Sequence, residues 1–361
     1  MRWELAEEQV LFQDSLRGWL VKAASSASVR RWLDTGDPSE LETRLVAEGW
    51  FAVGAAEERG GQGGGLLELV LTAEELARSA APSAAWMASV LALPALPDDV
   101  ASDVLDAGSF AALVVDASGP FDAPPSFRLE DEGTVSGESS TVLGGDRAAR
   151  LVVPVRTSGG VDLYLVDAAG PGVTVTSREL LDRTRSVADI ILDRACGVRL
   201  DVEAQAVLED AALRCAVLLA ADSLGAMERM LELAVEYSKQ RQQFGVPIGS
   251  FQAVKHAAAT MLVCVESSRS IVYFAAASVD ERGEERGLHA AVAKAQVTAA
   301  GAQTADTALT LHGAIGYTWE HDLHLLYKRA KLDERLSGSP TVWNERIADA
   351  LPLLPVASFV R

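Results

Sequence analysis

Apolar residues recur at helical spacing over the first hundred positions. Val10, Leu11, Leu16 and Leu20 fall near the helical period, a second run covers Leu41 to Trp50, and Leu67 to Ser79 and Ala85 to Leu96 extend the pattern to about Pro97. Between about Gly108 and Val202 the period shortens to alternation. Ala111–Asp116, Thr134–Gly137, Ala149–Val155, Val161–Asp167 and Ala188–Asp193 are short β-rich runs separated by Gly, Pro, Ser and Asp. Strands in succession without helices between them predict a small antiparallel β-domain. From Ala204 the helical period returns, with segments expected at about 204–239, 250–281, 284–313 and 320–336 and a last one near 342–353. Their alanine content favours close helix packing. The chain therefore reads as α+β in three parts: an N-terminal helical domain (1–107), a middle β-domain (108–202) and a C-terminal helical bundle (203–361).

Composition narrows the function classes. With 361 residues, 49% hydrophobic by type, the chain is long enough for two or three domains around a large core. The 32 basic and 51 acidic residues give a net charge of −19, a field that repels nucleic acid and anionic membrane surfaces. It does not exclude an anionic ligand held by local arginines. Cys196, Cys215 and Cys264 are widely spaced with no C-x-x-C pair, which indicates neither a disulfide framework nor a zinc site. The start, Met1-Arg-Trp-Glu-Leu-Ala-Glu-Glu, is acidic and amphipathic rather than signal-like, and no apolar run reaches spanning length, so a cytoplasmic protein without membrane insertion is expected. The glycine-dense stretch Glu57–Gly65 follows no strand and carries no Lys-Ser/Thr, which favours a turn over a phosphate cradle.

Two segments carry the chemistry. The first is Arg241-Gln-Gln243-Phe244-Gly245-Val-Pro-Ile248-Gly-Ser-Phe251-Gln252, and the second is Leu311-His312-Gly313-Ala314-Ile315-Gly316-Tyr317-Thr318. They resemble the C-terminal signatures of the acyl-CoA dehydrogenase flavoproteins, R-x-Q-F-G-x-x-I-x-x-F-Q and Q-x-H-G-G-x-G-Y/F-T. The helix–β–helix order extends that resemblance over essentially the whole chain and implies a C-terminal four-helix bundle. In such a family each flavin lies between two subunits. The middle domain holds the flavin ring and substrate in cis, and the neighbour's bundle holds the pyrophosphate and adenosine in trans.

The resemblance implies FAD contacts in trans from Arg241, Gln243, Phe244, Gln252, Thr310, Gly313, Ala314 and Gly316. A guanidinium suits the pyrophosphate because it offers two charge-assisted bonds. Thr310 stands where the family has glutamine, and Ala314 where it has the second glycine. The cis half is poorly kept: Asp116-Ala-Ser118-Gly119-Pro120 replaces the flavin-ring segment, and Glu138-Ser-Ser-Thr141-Val142 replaces the W-I-T strand. Ser118 or Thr141 is left to supply a hydroxyl. The catalytic glutamate is also missing, since Ser337 and Cys215 fall at the two places the family uses for it, leaving Glu334 or Asp333 as displaced candidates. His321 and His324 fall on one helical face as a conceivable metal pair, but a similar E-H-D-L-H run occurs in the family without metal, and no metal is expected. Asp182-Arg-Thr184-Arg185 resembles a structural turn of the middle domain.

The expected function is FAD-dependent α,β-dehydrogenation of an acyl-CoA thioester. The retained trans half and depleted cis half suggest the flavin-supporting subunit of a heteromer, like the paired actinobacterial enzymes that oxidise steroid side-chain CoA esters. The expected partners are a paralogous acyl-CoA dehydrogenase subunit or a second copy, as dimer or tetramer, with an electron-transfer flavoprotein-like acceptor. The alternatives are a self-sufficient homomer using Glu334 and a non-catalytic scaffold keeping only the oligomerisation surface.

Overall fold

The structure, a computed structural model, describes residues 5–131 and 133–351. Six helices come first: α1 (Glu7–Ala23), α2 (Ser26–Thr35), α3 (Ser39–Ala47), α4 (Leu66–Arg78), α5 (Ala84–Ala92) and α6 (Asp98–Ala107). Local signals explain several of their ends. The Ser25 hydroxyl accepts the Ser28 N–H at 3.2 Å to start α2, and Gly36 with φ 70° stops it. Helix α5 is apolar on every side and wholly buried. Between α3 and α4 the glycine-dense stretch forms a tight turn, in which a Cβ on Gly61 would stand 2.1 Å from the Ala55 carbonyl oxygen. Asp280 accepts the Leu66 N–H at 2.6 Å, so the following helix start is already capped by a carboxylate from this chain.

Seven strands follow: β1 (Ala111–Leu113), β2 (Phe127–Asp131), β3 (Thr134–Leu143), β4 (Arg150–Thr157), β5 (Gly160–Asp167), β6 (Val173–Arg178) and β7 (Val187–Arg199). The pairs β4–β5, β5–β7, β7–β3 and β3–β2 are antiparallel, and β2 returns to β4, which closes a barrel around Val135, Val142, Leu151, Val153, Val155 and Ile190. The expectation of a purely antiparallel domain is corrected here, because β1 and β2 both pair with β4 in parallel. They lie one after the other along the same edge of β4, at Arg150–Val152 and Val155–Arg156. The two are thus one strand path interrupted by the excursion of residues 114–126.

The C-terminal part is α7 (Ala204–Gln240), the hairpin β8 (Gln242–Gln243) and β9 (Val246–Pro247), α8 (Gln252–Asp280), α9 (Arg286–Val292), α10 (Thr298–His312), α11 (Leu323–Asp333) and α12 (Pro340–Ala350). The single helix expected over 284–313 is broken by a π-helical segment, Ala293–Val297. Helix α8 corrects a second expectation, since by length and composition it is apolar enough to cross a membrane. Its apolarity comes from Ala, Val, Leu, Ile and Phe interrupted by polar residues such as Glu266, Ser267 and Arg269, and it packs on α4, α7 and α9.

Candidate functional site

The first signature forms an exposed ledge. Arg241 ends α7 with its N–H donated to the Tyr237 carbonyl at 2.8 Å, and its own carbonyl accepts the Ile248 N–H at 2.8 Å. The hairpin so closed pairs Gln243 with Val246 and turns through Phe244 (φ 54°) and Gly245 (φ 80°). Two successive positive φ values match the turn that joins a two-residue hairpin loop to twisted strands, and they leave the Phe244 ring 93% exposed. The Arg241 side chain is exposed and forms no ion pair with the described residues, and Gln243 and Gln252 are exposed beside it. The second signature continues the ledge. Gly313 (φ 66°) and Ala314 are exposed, with open space at the Gly313 Cα, and Thr310 is exposed with its hydroxyl bonded to the Asp306 carbonyl at 2.9 Å. Gly316 differs: a Cβ there would meet Leu309 Cδ1 at 2.9 Å and Leu323 Cδ2 at 3.0 Å. Its missing side chain is required by packing within this chain.

The positions matched to the catalytic base form a closed interior. Ser337 is fully buried in the left-handed conformation (φ 56°), and its loop is held from four sides. Its N–H donates to the Ala117 carbonyl at 2.7 Å, its carbonyl accepts Trp343 Nε1–H at 2.7 Å, Lys294 Nζ donates to the Gly338 carbonyl at 2.9 Å, and Pro120 lies against the Gly338 Cα. Lys294 also donates to the Asp333 carbonyl at 2.9 Å, so it closes the C-terminal end of α11 as a buried cation. Burial pushes its ammonium down to about 8, against the opposing pull of Asp333. Cys215 is buried beside Ser337, and burial pushes its thiol up to about 11. The void at the nearby wall, around Ala117, Phe121 and Leu143, measures about 10 Å³, roughly the smallest space that holds a single water.

Next to this interior lies an ion-pair knot. Arg329 binds Asp222 with two bonds of 2.7 Å and also reaches the Ala81 carbonyl at 2.7 Å and Ser83 Oγ at 2.9 Å. Arg185 pairs with the same Asp222 and donates to Ser83 Oγ at 2.6 Å. Asp182 accepts the Thr184 N–H at 2.9 Å, while Thr184 Oγ1 in turn accepts from Arg329 at 3.2 Å. Burial and neighbouring Asp222 raise the Asp333 carboxyl far above the usual carboxylate range. The D-x-T-R segment therefore joins the middle and helical parts through buried charge.

In the cis region several backbone and carboxylate groups are met by this chain, while the Ser118 and Thr141 hydroxyls form no hydrogen bond with the described residues. Asp116 accepts the Ser118 N–H at 2.8 Å and the Ser140 hydroxyl at 3.3 Å, and the Thr141 carbonyl accepts the Ala117 N–H at 3.2 Å. Thr141 sits at a bulge with φ 57°, its N–H directed to Asp189 at 3.3 Å. A cavity of about 510 Å³ runs outside this strand past Asp116, Pro120, Ser140 and Asp189. A larger cleft of about 1340 Å³ opens between the β4–β5 hairpin, the start of α7, the α8–α9 turn and α12. It carries Arg156, Arg282, Arg286 and Arg346, interspersed with Asp122, Glu203, Asp210 and Glu284.

Residues 6–97 match the acyl-CoA dehydrogenase N-terminal domain and residues 210–351 the acyl-CoA dehydrogenase C-terminal domain. Over 343 residues the chain is 33% identical to the acyl-CoA dehydrogenase IpdE2 of Mycobacterium tuberculosis, covering 92% of this chain and 94% of that protein. The chain belongs to the acyl-CoA dehydrogenase family. Members of the family are flavoprotein oxidoreductases acting on CH–CH groups. The acyl-CoA dehydrogenase FadE34 of the same organism is 31% identical over 354 residues, covering 95% of this chain but 48% of its own length, so the chain spans about half of that relative. Among solved structures, a chain of the ChsE4-ChsE5 complex from Mycobacterium tuberculosis superposes with a TM-score of 0.88 at 26% identity, covering 98% of this chain and 100% of that one.

Against the requirements of an acyl-CoA dehydrogenase, the ledge fits half of a dinucleotide: an arginine without an ion pair among the described residues, an exposed aromatic that meets only Phe251 edge-on, and an exposed glycine turn. The ring-side half does not fit equally, because Asp116, Asp189 and the N–H groups of Ala117, Ser118 and Thr141 are paired within the chain. Glu334 is half-buried, lies 3.8 Å from neighbouring Arg335, and lines none of the cavities described. Asp333 is enclosed in the knot. His321 and His324 diverge, the first ring packing on His312 at 4.6 Å and the second on Trp319 at 4.6 Å. Among the described residues no group of three His, Cys, Asp or Glu side chains is placed to hold a metal.

Proposed function

We propose that this chain is the flavin-supporting subunit of a heteromeric acyl-CoA dehydrogenase, lending its ledge to FAD held chiefly by a catalytic partner. The observation that carries this reading is the contrast between an open, partner-ready ledge and a sealed base locus in one chain. Arg241 would hold the pyrophosphate through two charge-assisted bonds. Phe244, Gln243 and Gln252 would cover the adenosine side, and the Gly313 turn would let the backbone approach. Bound FAD supplies the hydride acceptor for dehydrogenation, and a carboxylate from the partner takes the α-proton. This chain's own residues bind and orient, and Cys215 and Ser337, sealed from the clefts, move no proton.

Support from relatives is of two kinds. ChsE4-ChsE5 is a complex of two differently named chains. FadE34, of which this chain matches 48%, has room for a second unit of the same size. The substrate class that the sequence resemblance implies is the CoA ester of a steroid side chain, and the arginine-bearing cleft is large enough for part of such a ligand. The deciding experiment is purification of the chain alone and with the product of its adjacent dehydrogenase-like gene, followed by measurement of bound FAD and acyl-CoA oxidation. Flavin and activity only in the co-expressed complex are expected. A yellow, active protein from this chain alone would overturn the reading in favour of a homomer, and a colourless one in every combination would leave a scaffold.

A further inference from the structure

His312 stands between the two halves of the ledge. It is the last residue of α10, directly before Gly313, and only 4% exposed. One face of its ring stacks on Tyr237, with centroids 4.8 Å apart and planes inclined by 22°. The His321 ring meets it edge-on at 4.6 Å. Tyr237 lies in the last turn of α7, and its carbonyl is the group that receives the Arg241 N–H, so the stacked residue is the one from which the arginine hairpin departs. His321 lies beyond the Gly313–Tyr317 turn, and its Nδ1 accepts the Leu323 N–H at 3.1 Å at the start of α11.

The state of the His312 ring follows from its contacts. Nδ1 lies 2.8 Å from the Ala308 carbonyl, and a carbonyl only accepts, so Nδ1 carries the proton of the neutral ring and Nε2 is bare. Nε2 makes no hydrogen bond of normal geometry among the described residues, although the Leu233 backbone lies near the ring. The bond to its own helix, with the Leu233 backbone of α7 also facing the ring, sets its rotation, and two aromatic rings hold it in place. Those rings belong to the end of α7 and the approach to α11, so His312 ties the distant end of α7 to the two sides of the Gly313–Tyr317 turn.

We propose that His312 is a positioning residue for the dinucleotide surface, fixing the Arg241 hairpin relative to the Gly313–Gly316 turn so that one ligand meets both. This rests on the reading that the ledge holds FAD. A ring in this place is needed for the stack, and the Nδ1 bond sets its angle. Neither role requires His312 to touch the ligand.

The test is FAD titration of the full chain assembled with its partner and stripped of flavin, using His312→Ala, His312→Phe, Arg241→Ala and the double variant His312→Ala/Arg241→Ala. Loss of the stack is expected to weaken FAD binding by about tenfold, the range of one or two aromatic contacts. His312→Phe, which keeps a ring, should stay within about threefold of wild type. In the Arg241→Ala background His312→Ala should add less than about threefold, because residues acting through one another are not additive. Amide exchange across residues 242–246 of the flavin-free chain should quicken in His312→Ala by more than its loss of global stability accounts for. If His312→Ala fails to fold, Tyr237→Ala removes the same stack from the other side and carries the same expectation. Multiplicative effects in the double variant, or wild-type affinity in His312→Ala, would overturn the proposal. Wild-type affinity in Arg241→Ala would instead remove the FAD reading on which it rests.

Discussion

The ledge at the end of α7 and the interior around Ser337 are built from similar materials and reach opposite ends. Each contains a residue in the left-handed region, Phe244 and Ser337, and each has a basic side chain at a helix C-terminus, Arg241 and Lys294. At Ser337 the backbone N–H and carbonyl and the Gly338 carbonyl are answered from within the chain, and the basic side chain is committed to carbonyls. At Phe244 the turn is closed by its own short hairpin and the ring meets only Phe251, edge-on at 6.2 Å, and the arginine remains free of ion pairs with described residues. A left-handed non-glycine residue persists when its surroundings over-determine it, which holds for the buried loop. The exposed one depends on a hairpin and gains most from a ligand or partner. Positive φ thus reports opposite circumstances at the two places, and only burial distinguishes them.

The largest effect is expected in the interior. Asp222→Ala leaves Arg329 and Arg185 buried without their shared carboxylate, a change of about 3–5 kcal/mol for a broken buried pair. Urea denaturation should show it as a lower midpoint, and FAD affinity of the folded fraction should be unaffected. The reverse is expected at the ledge. Arg241→Ala removes two charge-assisted bonds, on the order of a few kcal/mol of ligand binding, with no shift in the denaturation midpoint. A stability loss in Arg241→Ala, or a flavin loss in Asp222→Ala, would show that the two regions are coupled.

A smaller effect sharpens the contrast through pH. Glu74 on α4 is fully buried, accepts Tyr273 Oη–H at 3.0 Å and shares Arg269 with Glu228. Burial first, and Glu228 second, push its carboxyl up to about 8 from an ordinary 4.5. Between those values the folded state holds a proton that the unfolded state has released. Its contribution is therefore complete below about pH 4.5 and is lost as pH rises through about 8, with a slope of roughly 1 kcal/mol per pH unit. Glu74→Gln should flatten that part of the stability profile, and a profile unchanged by the substitution would remove Glu74 as its source. The smallest effect is at Glu334. Glu334→Gln should leave the anaerobic rate of flavin reduction in the complex unchanged, whereas a loss of about 100-fold, usual for a positioned base, would return the chemistry to this chain.

Much of this was legible in the sequence because it depends on local pattern. The long helices, five of the barrel strands and the two signatures follow from periodicity and motif spacing. Strand β2, Phe127-Arg-Leu-Glu-Asp, escaped because its charged residues face solvent, and β6, Val173-Thr-Val-Thr-Ser-Arg, because it has no fully buried residue to mark a core face. Helix α6 was lost to Pro97, which reads as an end but here precedes the first turn, Asp98-Asp99. The site was half visible. Spacing identifies the glycines of the second signature but does not reveal that Gly316 is required by Leu309 and Leu323. The Tyr237–His312–His321 stack joins residues 75 and 9 positions apart (312 − 237 and 321 − 312), which no local period connects.

The π-helical segment Ala293–Val297 adds one residue per turn to a helix that would otherwise continue from α9 to α10. Each residue of an α-helix advances the face by about 100°, so the extra one sets the two flanking helices out of phase and turns Lys294 toward the α11 carbonyls. The segment is consequently tolerant in composition and intolerant in length. Ala293, Ala295 and Val297 can exchange small apolar side chains, but deleting any single residue would restore the α-helical phase, swing Lys294 off Asp333 and Gly338, and present the wrong face of α9 to α8 and α12. Insertions and deletions should therefore be far rarer in this stretch than substitutions in any functional variant library of the chain.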